Sequence, residues 1–208
     1  MTLALPGMTP LAISGPSVDG SLYADVVGLA GRSPGWFDDT VEIWSAYGLA
    51  VFAVLMLVGW WRARRVGAEA AVTALAVPVV VVVAYAVNAL VKSAVHEVRP
   101  CRALHAITLE ACPARTDWSF PSNHAAIAAA AAVALFFVSR RLGVIGSLVA
   151  AAMAASRVWV GVHYPHDVAA GIVVGGLVAF VLMRVLLRRP EGLARRITAT
   201  RLRPLLTS

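Results

Sequence analysis

Three ionisable side chains stand close together in the last third of the chain: Arg157, His163 and Asp167. They lie between two apolar segments, where a membrane span would meet water, and charged groups placed there are costly and usually functional. An imidazole nitrogen can attack phosphorus, a carboxylate can hold the imidazole in the right tautomer, and a guanidinium can neutralise phosphate oxygens. These residue types therefore indicate chemistry on a phosphate group.

Two further polar motifs border apolar segments earlier in the chain. The first runs from Lys92 to Arg99 and Pro100, and its two cations are about two helical turns apart, so the spacing predicts that they point the same way. The second is Phe120-Pro121-Ser122-Asn123-His124, which opens an apolar segment. A proline and a serine at a helix start leave unpaired backbone N–H groups beside a hydroxyl, which favours anion binding.

The composition excludes a soluble domain. Hydrophobic residues make up 60% of the 208 positions and charged residues only 14%, which is typical of an integral membrane protein. The net charge of +7 does not indicate nucleic-acid binding, because the charge lies between apolar runs rather than on one solvated face. Lys92 is the only lysine among 18 basic residues, which points to a specific role.

Five apolar segments are long enough, or nearly so, to span a bilayer, which takes about 17 to 25 residues. They predict an all-α integral membrane bundle of about five transmembrane helices, at residues 41–61, 70–90, 122–138, 142–159 and 168–187. Before them, apolar residues at helical spacing over 18–30 predict an interfacial amphipathic helix, with a disordered tail as the alternative. The predicted division is an extracytoplasmic segment at 1–40, a catalytic membrane domain at 41–189 and a basic cytoplasmic tail at 190–208.

Arginine counts predict the orientation, because basic residues favour the cytoplasmic side. Arginines cluster in the first short loop, in the loop before residue 142 and in the tail: Arg62, Arg64, Arg65, Arg140, Arg141, Arg184, Arg188, Arg189, Arg195, Arg196, Arg201 and Arg203. The segment before the first span is mostly acidic, which predicts that it lies outside. The loop from Lys92 to Phe120 and the turn at His163 are then outside as well, so the three motifs share one face.

The chain has two cysteines, Cys101 and Cys112, and both lie in this outer loop. An oxidising compartment permits a disulfide there, closing a small ring over the site, and two free thiols are the alternative. No second pair of cysteine or histidine ligands accompanies them at zinc-site spacing, and no cluster of carboxylates indicates magnesium. We therefore expect neither a metal nor another cofactor.

The motifs Lys-x6-Arg-Pro, Pro-Ser-x-His and Ser-Arg-x5-His-x3-Asp, in this order between Lys92 and Asp167, resemble the type 2 phosphatidic acid phosphatase superfamily. Its short length, its predicted outside N-terminus and the Phe-Pro-Ser-Asn-His sequence of its second motif make the chain most similar to the bacterial undecaprenyl-diphosphate phosphatases of this superfamily. The resemblance implies that His163 forms a phosphohistidine with Asp167 bonded to its far nitrogen, and that His124 protonates the leaving oxygen. The phosphoryl oxygens would be held by Lys92, Arg99, Arg157 and Ser122 without a metal.

Asn123 departs from the family pattern, which usually has glycine at this position. Asparagine tolerates a left-handed backbone conformation better than most residues and adds an amide donor, so we expect it to serve in phosphate binding. His166 matches no motif position, and a surface or capping role is expected. Glu97, near the first motif, could contact a second phosphate or lie in a solvated loop.

The resemblance implies a lipid phosphatase of the bacterial plasma membrane that splits a polyprenyl diphosphate at the outer face, recycles the cell-wall carrier lipid and confers bacitracin resistance. Its partners would be this substrate and membrane lipids, with no nucleic acid, and the sequence leaves the oligomeric state open. The alternatives are a phosphatase for phosphatidic acid or phosphatidylglycerol phosphate, a lipid phosphotransferase, and a flippase or head-group-binding protein. The last would need the cations but not a histidine paired with an aspartate.

Overall fold

The computed structural model of the protein describes residues 15–188, 190–200 and 202–206. This part of the chain forms nine α-helices and a final 3₁₀ turn at Arg203–Leu205. The helices are α1 (Gly15–Ala30), α2 (Gly35–Tyr47), α3 (Leu49–Val66), α4 (Ala68–Ala94), α5 (Pro100–Ala103), α6 (Asn123–Val138), α7 (Arg140–Trp159), α8 (Pro165–Leu186) and α9 (Pro190–Thr198). The first fourteen residues of the predicted N-terminal segment, and Arg189 and Arg201 of the basic clusters, lie outside the described residues.

The predicted all-α membrane bundle is confirmed. By length and composition, α4, α7 and α8 can each cross a membrane, and α2 with α3 forms a fourth candidate span that bends by 54°. The remaining apolar segment, 122–138, is α6, whose 16 residues make a helix about 24 Å long, shorter than a hydrocarbon core of about 30 Å. The structure thus has three to four candidate spans and one shorter apolar helix where the sequence predicts five spans.

Alanine makes α6 the central helix of the bundle. Residues Ala128, Ala130, Ala131 and Ala134 are fully buried, and the helix packs against α4, α7 and α8. Small side chains let helix backbones approach closely, and this is how membrane helices pack without a hydrophobic driving force between them. The α6 helix is therefore enclosed by its neighbours, and its N-terminus opens where the other motifs meet.

Chain direction brings four helix ends to one end of the bundle. There α4 and α7 finish at Ala94 and Trp159, while α6 and α8 begin at Asn123 and Pro165. Because α4 ends at Ala94, Arg99 lies beyond the helix, and the prediction that two helical turns align it with Lys92 is wrong. The two side chains still converge, but they do so through the loop that follows α4.

The helix predicted near the N-terminus is present as α1. Its Tyr23 is 1% exposed, packs against Tyr164 with ring centroids 5.5 Å apart, and donates a hydrogen bond to the Gly161 carbonyl over 2.8 Å. Gly161 has a φ of +85°, a left-handed conformation that favours glycine, and it forms the turn between α7 and His163. The first helix thus fixes the turn that carries the third motif.

Candidate active site

His163 and Asp167 form a buried pair at the start of α8. His163 Nδ1 lies 3.3 Å from Asp167 Oδ2, and the two side chains are 2% and 0% exposed. The same carboxylate oxygen accepts hydrogen bonds from the Tyr164 backbone N–H over 2.8 Å and from the Ser119 hydroxyl over 2.5 Å. Because the carboxylate faces Nδ1, the neutral ring carries its proton there and leaves a lone pair on Nε2.

Burial keeps this imidazole neutral. It lowers the pKa of His163 to about 3, although the hydrogen bond and charge of Asp167 act in the opposite direction. A neutral ring is the nucleophilic form of histidine. The Nε2 atom that would attack phosphorus lies 3.2 Å from a terminal nitrogen of Arg99, so a cation already stands beside the reactive atom.

Arg99 and Lys92 converge on Asp117. The Arg99 guanidinium binds the Asp117 carboxylate over 3.0 Å and also donates to the Asp117 and Val162 carbonyls, each over 2.9 Å. The Lys92 ammonium lies 3.7 Å from the same carboxylate and donates to the Trp118 carbonyl over 2.7 Å. Burial would raise the pKa of Asp117, but Arg99 and Lys92 outweigh it and hold that pKa below its ordinary value. Asp117 therefore lies, as an anion, between the two cations.

The N-terminus of α6 supplies the second half of the site. The Ser122 backbone N–H donates to the Asp167 carbonyl over 3.0 Å, which joins the second motif to the third. The Ser122 hydroxyl is buried and has no hydrogen-bond partner among the described residues. A buried hydroxyl without a partner is costly, and beside the N–H groups of a helix start it is suited to bind an anion.

Asn123 and His124 are the first residues of α6. Asn123 lies in α6 and has a negative φ; among the described residues other than glycine, it is His105 that has a positive φ. The tolerance of asparagine for a left-handed backbone therefore does not explain why it stands at this position. Its side-chain oxygen accepts a hydrogen bond from the Asn88 amide over 2.8 Å, which anchors α6 to α4. His124 is half-buried on the same helix turn.

Arg157 is buried near the end of α7 and is already paired. It binds the Glu110 carboxylate over 2.8 and 3.4 Å and donates to the Ser45 hydroxyl. Its Nε atom is buried without a hydrogen-bond partner among the described residues. Two carboxylates of the outer loop thus pair with the cations: Glu110 with Arg157, and Asp117 with Lys92 and Arg99.

The outer loop is closed by a disulfide between Cys101 and Cys112, with sulfur atoms 2.04 Å apart. Glu110 lies within this ring, and its backbone N–H donates to the Val160 carbonyl over 3.3 Å. Ser119 follows the ring, and its backbone N–H donates to the Glu97 carbonyl over 2.9 Å. The loop therefore reaches the site through Glu110, Asp117 and Ser119, none of which belongs to a motif of the sequence.

Glu97 and His166 are not solvated. Glu97 is fully buried, so the interpretation of this residue as part of a solvated loop is wrong. The His166 side chain is 17% exposed and lies between Glu97 and Asp19, so of the two roles expected for it, surface or capping, the surface role is wrong. Neither residue offers a sequence signal, because their partners come from distant parts of the chain.

Glu97, His166 and Asp167 are the described residues that could offer three metal ligands, with atoms within 4.8 Å of one another. Both nitrogens of His166 face carboxylate oxygens, so the ring donates from both and keeps no lone pair for a metal. The donor set therefore does not fit a metal ion. The expectation of a reaction without a metal stays a prediction.

The protein is thus a helical membrane bundle in which a buried His–Asp pair, buried cations and the N-terminus of α6 lie together at one end. The chain belongs to the PAP2 superfamily, whose sequence pattern matches residues 73–191, more than half of its length. This stretch contains all three motifs and the outer loop. It begins after α3, so α1 lies outside the matched residues.

Several curated relatives carry names of lipid phosphatases. The undecaprenyl-diphosphatase of Sulfolobus acidocaldarius is 39% identical over 74 residues, which cover 35% of this chain and 36% of that protein. The undecaprenyl-diphosphatase BcrC of Bacillus subtilis is 29% identical over 151 residues, 71% of this chain and 74% of that protein. The decaprenylphosphoryl-5-phosphoribose phosphatase of Mycobacterium tuberculosis is 35% identical over 101 residues, covering 48% of this chain and 54% of that protein.

A solved structure shares the fold. The chain is similar to the transmembrane PAP2-type phosphatidylglycerolphosphate phosphatase from Bacillus subtilis, with a TM-score of 0.58 and 21% identity. The similarity covers 88% of this chain and 89% of that protein. At this identity, the likeness supports the architecture and not the choice of substrate.

Proposed function

We propose that the protein hydrolyses a polyprenyl diphosphate, with undecaprenyl diphosphate as the main candidate, to the monophosphate and inorganic phosphate. The observation that carries the proposal is the neutral, buried His163 held by Asp167 with its Nε2 atom 3.2 Å from Arg99. A flippase or head-group-binding protein would need the cation but not the oriented nucleophile. The two relatives named undecaprenyl-diphosphatase favour a diphosphate substrate.

In the first step, Nε2 of His163 attacks the terminal phosphorus and the bond from phosphorus to the bridging oxygen breaks. The leaving oxygen belongs to the lipid monophosphate and takes a proton from His124, and the terminal phosphoryl group stays on His163 as a phosphohistidine. In the second step, His124 removes a proton from water, and the water oxygen attacks the same phosphorus. The bond from phosphorus to Nε2 breaks, phosphate leaves and the ring of His163 is neutral again. Asp167 stabilises the positive charge that develops on the ring of His163.

Charge on the phosphoryl oxygens is stabilised by Lys92, Arg99 and Arg157, with the Ser122 hydroxyl and the N–H groups at the start of α6. These cations are paired with carboxylates before substrate binds. Asp117 pairs with Lys92 and Arg99, and Glu110 pairs with Arg157. An entering diphosphate must displace both. A substrate with two phosphates can replace both carboxylates, whereas a monophosphate replaces one, and this favours the diphosphate.

We further propose that the site lies at the extracytoplasmic face of a bacterial plasma membrane, with the C-terminus inside. The apolar tail of the substrate would stay in lipid while its phosphates enter the cationic end of the bundle. This reaction would return the carrier lipid to cell-wall synthesis, and loss of the protein would raise sensitivity to bacitracin. The proposed catalytic domain keeps the boundaries 41–189, between the outer segment 1–40 and the tail 190–208.

The test is phosphate release by detergent-purified protein in EDTA, with undecaprenyl diphosphate, phosphatidic acid and phosphatidylglycerol phosphate assayed in parallel. We expect the diphosphate to be hydrolysed fastest, and His163→Ala to lose about a thousandfold or more of kcat. The exposed histidine variant His105→Asn is the matched control and keeps wild-type activity. Faster hydrolysis of either phospholipid would reassign the substrate, and equal activity in wild type and His163→Ala would remove the nucleophile from the proposal.

A further inference from the structure

His166 is held by two carboxylates that come from opposite directions. Its Nδ1 atom lies 2.8 Å from Asp19 Oδ1, and its backbone N–H donates to the other oxygen of Asp19 over 2.7 Å. Its Nε2 atom lies 3.0 and 3.1 Å from the two oxygens of Glu97. An ionised carboxylate only accepts hydrogen bonds, so a ring that bonds both partners donates from both nitrogens and carries a positive charge.

The ring of His166 is also fixed in its plane. It stacks on Tyr164 with centroids 5.3 Å apart and on Phe120 with centroids 6.0 Å apart, at interplanar angles of 18° and 29°. Aromatic faces carry partial negative charge and attract a cation placed over them. Hydrogen bonds at both edges and aromatic rings at the two stacking contacts therefore allow this side chain very little movement.

The positive ring faces the carboxylate that orients the nucleophile. His166 Nε2 lies 3.6 Å from Asp167 Oδ1, which is buried and has no hydrogen-bond partner among the described residues. The other oxygen of Asp167 already accepts from Ser119, Tyr164 and His163. A buried carboxylate with one oxygen unpartnered is costly unless a charge compensates it, and His166 is the cation next to that oxygen.

We propose that His166, clamped by Asp19 and Glu97, is a positioning residue that holds the carboxylate of Asp167 and through it the ring of His163. This inference rests on the proposed function of the site. Without the cation, the buried carboxylates of Glu97 and Asp167 repel each other uncompensated, and Asp167 turns away from His163. A displacement of about 1 Å at the reacting atoms can cost about a hundredfold in rate.

The clamp makes α1 part of the catalytic apparatus. Asp19 lies in α1, which precedes the residues that match the PAP2 pattern and is tied to the bundle a second time through Tyr23 and Gly161. Its carboxylate also caps the positive N-terminal end of α8, where an anion is stabilised by the helix dipole. The N-terminal helix therefore contributes the carboxylate of Asp19, which binds His166, as well as the packing of Tyr23 against Tyr164.

The experiment measures kcat, KM and thermal unfolding in detergent for His166→Gln, Asp19→Asn and Glu97→Gln, with His105→Asn as the matched histidine control. We expect His166→Gln to lower kcat about ten- to hundredfold, with KM within about twofold of wild type and an unfolding midpoint close to it. The single-turnover rate of phosphoenzyme formation falls by the same factor. Asp19→Glu, which keeps the charge, retains more activity than Asp19→Asn.

A double-variant cycle tells whether Asp19 acts through His166 or whether the two residues contribute to activity independently. If Asp19 acts through His166, the double variant Asp19→Asn, His166→Gln is no slower than His166→Gln alone, whereas independent roles give multiplied losses. A wild-type kcat in His166→Gln, or a loss of kcat that follows a loss of thermal stability, would overturn the inference. Should His166→Gln not fold, Asp19→Asn and Glu97→Gln decide the question by the same criteria.

The failure of the proposed function gives a different result. In that case the wild type and His163→Ala release phosphate equally slowly from each lipid phosphate, and the inference falls with the function on which it rests. If the wild type is active and His163→Ala is not, the function stands, and His166→Gln then tests the clamp alone.

Discussion

Asp167 connects the second motif, the third motif and the outer loop through its carboxylate and its backbone carbonyl. Its carboxylate holds His163, Tyr164 and Ser119, and its backbone carbonyl accepts the Ser122 N–H at the start of α6. A displacement of this one residue would move the nucleophile and the anion-binding helix start together. The geometry of the site therefore depends on hydrogen bonds to Asp167 as much as on the residues that would touch phosphate.

The Ser119 hydroxyl should contribute to activity although it lies outside the motifs. Ser119→Ala removes a short hydrogen bond to a buried, ionised Asp167, and such bonds contribute about 1.5 to 3 kcal/mol. We expect kcat to fall about tenfold or more while KM changes little, because the lost contact holds Asp167 and not the substrate. Steady-state kinetics on the diphosphate measures this change.

The control for this variant is Ser147→Ala, which removes an exposed hydroxyl bonded to the Gly143 carbonyl, far from the site on α7. It should retain wild-type kinetics. Equal kcat in Ser119→Ala and Ser147→Ala would show that Asp167 does not depend on the serine.

The pKa of His163 predicts how stability depends on pH. Burial lowers that pKa from 6.5 to about 3, so between these values the unfolded chain binds a proton that the folded protein does not. The free energy of unfolding therefore rises with pH across this window, and the contribution of His163 is complete above 6.5 and lost as pH falls towards 3. His163→Gln removes this contribution, and its stability should fall less steeply in acid.

Thermal unfolding in detergent from about pH 4.5 to about pH 7.5 measures the difference between wild type and variant. Asp117 also has a lowered pKa, but it starts from 3.8, so its effect falls below this range. His105→Asn, the exposed control, should keep the wild-type slope. Parallel curves for wild type and His163→Gln would mean that His163 is not held neutral by the fold.

The sequence identified which motif residues to expect near one another but not what holds them. Lys92, Arg99, His163 and Asp167 meet in the structure, and their types and spacing were sufficient to select them. Ser119, Glu110 and Asp117 come from a loop without periodicity, so no local pattern indicates where they fold. The sequence gives no sign of the partners of His166 for the same reason, because Asp19 is 147 positions away.

Two glycines allow α8 to lie directly on α6. A methyl group on Gly171 or Gly175 would collide with the Ser122 or Ala126 carbonyl, so the two backbones are in contact. A hydrogen bond joins Ser122, the residue before α6, to Asp167 in the first turn of α8. The close contact of α6 with α8 therefore sets the distance between the anion-binding helix start and the His–Asp pair.

Gly175→Ala should be destabilising, whereas Gly176→Ala should not. The added methyl at Gly175 meets the backbone of Ala126, which cannot move without separating the helices, and overpacking of this kind costs about 1 to 3 kcal/mol. At Gly176 the methyl meets only the end of the Val133 side chain, 3.7 Å away. The unfolding midpoints of the two variants in detergent give a matched comparison, and similar values would contradict the close contact.

Hydrophobic patterns predicted the helices but not their breaks. Four of the five apolar segments coincide with one helix each and the first runs across α2 and α3, because a long apolar run can satisfy its backbone in a membrane only by forming helix. The first segment nevertheless bends at Gly48, where the backbone of Gly48 approaches the Trp44 carbonyl and Met153 of α7. A bend of this kind depends on a neighbouring helix, so its cause lies in packing that a single segment does not reveal.

The whole molecule has a basic end and a catalytic end. The loop between α3 and α4, the loop between α6 and α7 and the C-terminal helix α9 lie opposite the end where α6 and α8 begin. Arg64 and Arg65 stack on Trp60 and Trp61 there, an arrangement suited to the interface between water and lipid head groups. The cations of the other end are instead buried against carboxylates. The two groups of basic residues thus differ in their surroundings: those at one end stack on tryptophans, and those at the other end are paired with carboxylates.

This asymmetry predicts the orientation in the membrane. Basic loops are retained on the cytoplasmic side, so the catalytic end should face outwards. Ile107→Cys, at a position 95% exposed in the outer loop, should react with a membrane-impermeant maleimide on intact cells. Gly192→Cys, in α9 with open space around it, should react only after permeabilisation. Wild type is the control, because its two cysteines are joined and should not react. The reverse pattern would place the site in the cytoplasm and exclude an outer-face substrate, while leaving the chemistry of His163 unchanged.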